Sequence, residues 1–411
     1  MKFIYFMPPA LPATVSERRR LRPIAHRTDY FQRMLDEVVE LAQMAEELGF
    51  EAVAFPEHHL HTEGMEMGGL PTLYQHVINH THRIKVGPIG YVLAGWNPLR
   101  LALEIAWLDQ LSKGRTFCGF ARGYQTRWLN QMAQKIHVSA TTSDQSETDQ
   151  INRDAFEEVF TILKLAWADK PFRFKGKHYE YPYPFEEGTP WKPYEWTREF
   201  GAPGEVGEDG RIQMIDVVPK PYQKPHPPLF QAFSVSESTI RWAAAEGVIP
   251  TLLISDLGQV QRFAQIYQED SAKAGRVLAR GENLGVVRMA YFGNNQAEAI
   301  AAAEEGTIDQ FFRKFAGVFG FWDAWRLPGD EAKYPAAKGL LPSSEWTLER
   351  MVKSHFLFAG TSDNIRKEMD LLVEAGNPEW FALWSEQGAL PLYEVKKQLE
   401  LFGRHVVSQY R

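Results

Sequence analysis

Three short clusters and one further arginine carry the side chains that could do chemistry in this chain. The run Pro56-Glu57-His58-His59-Leu60-His61 sets a carboxylate among three imidazoles. An imidazole titrates near neutrality, so one histidine, His58 with Glu57 and His59 beside it, is a candidate general acid or base. Zinc is the competing use. It needs three protein ligands in a tetrahedral array, and adjacent histidines at a strand end point to opposite faces, so the acid/base reading is preferred and no metal ligand is assigned. Arg122-Gly123-Tyr124 offers a guanidinium that can grip an anion or simply pair with a neighbouring acid. Ser234-Val235-Ser236-Glu237-Ser238-Thr239 gathers hydroxyls ahead of a helix. One of them suffices for an N-cap, whereas three beside free N–H groups suit a phosphate. Arg153 could close with Arg122 on that same phosphate.

These clusters need elements to hold them. Lys2 to Met7 reads as a first strand, followed by a long basic loop from Pro8 to Arg27 in which Arg18-Arg19-Arg20-Leu21-Arg22 is either an anion lure or a solvated charge run. Apolar spacing predicts a helix from Asp29 to Leu48, and Ala52 to Phe55 is a second strand that ends in the histidine run. A helix from Pro71 to Asn79 leads to one strand–helix–strand unit. Its parts are Ile84 to Leu93, a helix opened by Pro98 and stopped by Gly114, and Thr116 to Ala121, which ends in Arg122. Ser139 to Gln150 reads as surface loop, with Asn152 or Asp154 capping a helix to Trp167.

From Pro171 to Pro228, which holds 11 of the chain's 25 prolines, the pattern becomes an extended excursion with a small antiparallel patch. Strands then resume at Pro228 to Phe233, Val248 to Ile254, Gly285 to Phe292 and Trp380 to Trp384. Helices follow at Ile240, Leu257, Ala297 and Tyr393, and another, capped by Thr361 to Asp363, precedes the last strand. Phe311 to Ser344 is an aromatic insertion. Eight strands, each followed by a helix, predict an α/β (β/α)8 TIM barrel, with the excess length in loops after strands four and seven. We expect one domain over 1–411 that contains the 171–228 excursion and a lid-like 305–350 insertion.

Composition narrows the function. The balance of 45 basic against 52 acidic side chains leaves −7, which argues against nucleic acid as a partner. No apolar run is long enough to span a membrane, and the N-terminal strand is too short for a signal-peptide core. The single cysteine, Cys118, falls in a buried strand, which excludes intrachain disulfides and fits a reducing, cytoplasmic compartment. No Gly-x-Gly-x-x-Gly follows a strand, so a nicotinamide-binding fold is unsupported.

Leu48-Gly49-Phe50 leading to Glu57-His58-His59, Asn97-Pro98-Leu99-Arg100, Leu108-Asp109-Gln110-Leu111-Ser112-Lys113-Gly114-Arg115 and Arg122-Gly123 together resemble the signature of the bacterial luciferase-like flavin monooxygenases. The similarity continues through Pro227-Pro228, Ser234 to Trp242 and Gly360-Thr361. The resemblance implies a commonly dimeric (β/α)8 barrel, hence an expected homodimer, that takes FMN in reduced form (FMNH2) from a separate NAD(P)H:flavin reductase. It also implies that O2 adds at flavin C4a and that the resulting C4a-(hydro)peroxyflavin oxygenates a small apolar organic substrate.

By position, His58 resembles the family's catalytic histidine. Arg122, Arg153, Ser234 and the Ser236/Ser238 hydroxyls resemble its flavin-phosphate contacts, and Gly123, Tyr124, Ala232 and Phe233 flank them. Ile89-Gly90 falls where luciferases carry a non-proline cis peptide under the isoalloxazine ring. Ala121 stands where light-emitting members place a reactive thiol, so luminescence with aldehydes is not expected. The competing functions are an F420-dependent dehydrogenase on the same barrel, a non-catalytic flavin-binding subunit and, last, a metal hydrolase.

Overall fold

The computed structural model describes residues 1–411 except 66, 67, 69, 143, 336–339 and 387, and resolves two compact units, 1–90 with 228–411, and 91–227. In the first unit, strands β1 (Lys2–Phe6), β2 (Ala52–Phe55), β3 (Lys85–Pro88), β4 (Leu229–Ser234), β5 (Ile249–Leu252), β6 (Gly285–Phe292), β7 (Leu357–Gly360) and β8 (Trp380–Trp384) pair in parallel. Their order is β3-β2-β1-β8-β6-β5-β4, with β7 on the C-terminal half of β6. Strands buried on both faces read as apolar runs, which is why Phe-Ile-Tyr-Phe and Trp-Phe-Ala-Leu-Trp are uninterrupted. The class is the expected α/β (β/α)8 barrel.

Register fixes which side chains share a face. Phe6 pairs with Ala54 on one side and Trp384 on the other. On the opposite face Phe3 and Tyr5 meet Phe50, and Phe3 also meets Phe402 of the Leu392–Phe402 helix. Phe6 and Trp384 are therefore turned away from that helix, and both stand at the C-terminal ends of their strands, where a parallel barrel presents its ligand side.

In the second unit, Tyr91–Val92 and Cys118–Ala121 pair in parallel across the Pro98–Ser112 helix, as the strand–helix–strand pattern predicted. That helix begins at an Asn97 cap and ends where Lys113 and Gly114 both turn left-handed. Buried Asp109 on it accepts hydrogen bonds from the backbone and side chain of Gln223, each at 2.8 Å, which ties the far end of the excursion down. The excursion carries two small antiparallel pairs, Phe174–Lys175 with Glu180–Tyr181 and Thr189–Pro190 with Arg211–Ile212.

Four local expectations are corrected. The strand expected from Ile84 to Leu93 stops at Pro88, restarts at Tyr91 and turns into a 3-10 helix at Leu93, whereas the Ile89–Gly90 peptide is cis, as the family resemblance implied. Leu357–Gly360, too short to show periodicity, is a further strand. The Pro8 to Arg27 loop contains a helix, Val15–Arg20, entered through a Thr14/Glu17 capping box. The helix expected to start at Asn152 or Asp154 starts at Glu147, because Ser146 accepts the N–H of Asp149 and Asn152 is thereby buried mid-helix.

Candidate active site

His58 stands three residues beyond the end of β2 and is buried, and burial, reinforced by His61 and His59, pushes its imidazole well below the ordinary value near 6.5. It is therefore neutral at pH 7 and able to take up or release a proton at a ring nitrogen. Beside it Glu57 is buried and receives the His59 Nε2 at 2.9 Å, so the carboxylate orients His59. A side chain at Gly68 would lie 2.0 Å from the His58 carbonyl oxygen, so glycine is required at that position. Among the described residues no group of three or more His, Cys, Asp or Glu could hold a metal ion.

An unbroken series of ring contacts leads away from His58. Its ring lies 6.1 Å from His61, which meets Phe315 edge-on at 5.6 Å. Phe315 stacks on Phe311, Phe311 touches Trp384, and Trp384 stacks on Phe233 at 5.3 Å. Phe311, Phe312, Trp322 and Trp325 of the insertion are fully buried. Phe233 adopts φ 49°, a conformation rare for a bulky residue, within a register shift between Gln231 and Ser234. Ala232 is buried, and its carbonyl accepts from Gln231 Nε2 at 3.3 Å.

The serine cluster divides its labour. Ser236 caps the Glu237–Glu246 helix by accepting the Thr239 N–H and also contacts the hydroxyls of Ser238 and Thr239. Ser238 is exposed. Ser234 is 1 % exposed, and its Oγ has no partner among the described residues. A buried hydroxyl left open at the end of β4, two residues before the cap of a ten-residue helix, suits a phosphate oxygen.

In the second unit Arg122 directly follows the Cys118–Ala121 strand and donates to Asp149 at 2.9 Å, and Thr141 also donates to that carboxylate. The neighbouring-acid reading of Arg122 is thus realised. Burial pulls the Arg122 guanidinium below its ordinary value while Asp149 opposes that, and Arg153 is near enough to repel it. Asn152 Nδ2 donates to the carbonyls of Arg122 and Ser139, so one helix face holds the arginine by both backbone and side chain. Gly123, at φ +79°, lies where a Cβ would strike Val92 at 2.4 Å, and the Tyr124 hydroxyl accepts from Gln125 Nε2 at 3.0 Å.

Sequence reasoning missed Arg18. Its guanidinium donates to Glu63 and Gly64 at 2.9 Å, to Leu11 at 2.5 Å and to Gly388 at 3.5 Å, all backbone carbonyls in segments that follow β2, β1 and β8. The Val15–Arg20 helix has no buried residue, so these polar bonds and a Tyr30 hydroxyl bond to Glu17 dock it. Arg18→Met should cost about 2 kcal/mol in a denaturant titration and speed amide exchange at residues 61–64.

The site thus sets a buried neutral histidine and an aromatic interior at the strand ends of a parallel α/β barrel. A family model described as luciferase-like monooxygenase matches residues 1–377, and the chain belongs to that family. It is 26% identical over 296 residues to 3,6-diketocamphane 1,6-monooxygenase of Pseudomonas putida, covering 72% of this chain and 71% of that protein. Among solved structures it is similar to the oxygenating constituent of the 3,6-diketocamphane monooxygenase of Pseudomonas putida, a type II Baeyer–Villiger monooxygenase in complex with FMN. There the TM-score is 0.69 and the identity 18%, over 100% of this chain and 98% of that one. An F420-dependent secondary alcohol dehydrogenase matches with TM-score 0.62 and 14% identity, over 99% and 98% of the two chains.

Proposed function

We propose that this chain is the oxygenating component of a two-component system, taking reduced FMN from a separate NAD(P)H:flavin reductase and using O2 to oxygenate a small apolar organic molecule. The observation that carries this reading is the series of rings that joins buried, neutral His58 to Phe233 and the open hydroxyl of Ser234. These residues fit a flavin mononucleotide: Ser234 and the helix start behind it would receive phosphate oxygens. When bound, the reduced flavin supplies the electrons that activate O2.

The protein's own part is to bind, to exclude water and to handle protons. The buried rings of the 305–350 insertion keep water from the reacting centre. His58 gives or takes the proton that oxygen chemistry requires, and the Glu57–His59 pair holds the loop on which it stands. FMN reduced by light, supplied with 18O2 and a panel of apolar ketones and hydrocarbons, should give product carrying one labelled atom per flavin oxidised. Unlabelled product formed only with reduced F420 would instead establish the dehydrogenase reading.

A further inference from the structure

The chemistry assigned so far leaves the arginine run from Arg18 to Arg22 unused. Arg18 turns inward, and the four carbonyls it reaches, those of Leu11, Glu63, Gly64 and Gly388, lie in the segments that leave β1, β2 and β8. Those segments form the C-terminal mouth of the barrel, where a ligand enters, so Arg18 fixes the Val15–Arg20 helix at that mouth. Arg19, Arg20 and Arg22 are exposed, and their side chains make no hydrogen bond or ion pair among the described residues. Between Pro8 and Thr28 five arginines stand against one acid, Glu17, whose carboxylate already receives the Thr14 N–H and the Thr14 and Tyr30 hydroxyls. Glu17 and Glu386 both act on the inward Arg18, and Arg27 is paired with Asp29. The three outer charges are left uncancelled on a chain whose net charge is −7.

We propose that Arg19, Arg20 and Arg22 form an electrostatic steering patch that speeds the entry of a phosphorylated flavin into the barrel mouth without holding it once bound. The inference rests on the flavin reading above for the identity of the ligand. A chain of net negative charge repels a phosphate dianion at long range, and the open hydroxyl of Ser234 carries no charge to offset that repulsion. A positive island at the mouth reverses the sign of the field where the ligand approaches. Exposed guanidinium groups on long side chains hold a bound anion weakly, so their effect falls on the encounter and not on the lifetime of the complex. The Val15–Arg20 helix has no buried residue, so presenting charge, and not packing, accounts for what its outer side carries.

Stopped-flow association of oxidised FMN with the full chain, followed by flavin fluorescence, reads the effect. At about 10 mM ionic strength, where charges are felt over about 30 Å, the triple variant Arg19→Gln, Arg20→Gln, Arg22→Gln should bind FMN about tenfold more slowly than wild type. At about 1 M salt, where that reach falls to about 3 Å, the two rates should agree within about twofold. Dissociation rates should stay within about twofold at either salt, because steering acts on association. Lysine at the same three positions keeps the charge and should keep the wild-type rate. Riboflavin has the ring without the phosphate and should associate equally fast with all three proteins. In the wild type alone, FMN association should slow with salt and riboflavin association should not, a readout that needs no variant. Equal FMN rates for wild type and the glutamine variant at low salt, slow binding by the lysine variant, or a loss carried by faster dissociation would overturn the assignment. A wild type that ignores FMN but binds F420, whose tail also carries phosphate, with the same salt and variant dependence would keep the steering patch and remove the monooxygenase reading. A wild type that binds neither would remove both.

Discussion

His58→Ala should lower the rate of oxygenated product formation by about 10²- to 10⁴-fold, the usual worth of a general acid or base. Reduced-FMN affinity should stay within about twofold, and the oxygen that is still consumed should emerge as hydrogen peroxide. An oxygen electrode with peroxide and product assays separates these outcomes, and turnover within threefold of wild type would remove His58 from the chemistry. The pH dependence has a definite sign. Burial depresses the His58 pKa below its unfolded value near 6.5. The neutral imidazole therefore contributes stability that is fully present above about pH 6.5 and is lost as pH falls towards the folded pKa. His58→Gln should flatten that acid limb in urea titrations between pH 5 and 7, a change visible without any turnover.

Asp149→Ala should destabilise the second unit by about 3 kcal/mol, because it strands a largely buried guanidinium and takes the acceptor from Thr141. Asp149→Asn keeps the shape and an oxygen acceptor, so its cost should be well under half of that. Denaturant midpoints for the two variants check the ordering. Equal losses would show that volume, not charge pairing, is what matters at this position.

The parallel strands were legible because strands buried on both faces are written as bare apolar runs, and Lys2–Phe6, Ala52–Phe55 and Trp380–Trp384 are such runs. The positions of His58 and Arg122 followed, since they stand just past the apolar runs Ala52–Phe55 and Cys118–Ala121. What sequence could not show was who touches whom. Asp149 and Asn152 are three apart on one helix face, but Ser146 had to be recognised as the cap before that face existed, and the surrounding Ser/Thr-rich stretch looked like loop. Arg18 lay within a run of like charges whose bland reading is solvated surface, and nothing local shows that one of the run reaches backbone carbonyls far along the chain. Leu357–Gly360 has four residues, too few for either periodicity to register.

The indoles of Trp322 and Trp325 sit 5.0 Å apart with their planes at 88°, one turn of the insertion holding both. Chromophores so close couple their excitations, and the segment should show a circular-dichroism couplet from this pair. That signal would follow the insertion's internal packing by light alone, in the presence or absence of cofactor, and Trp322→Phe would erase it.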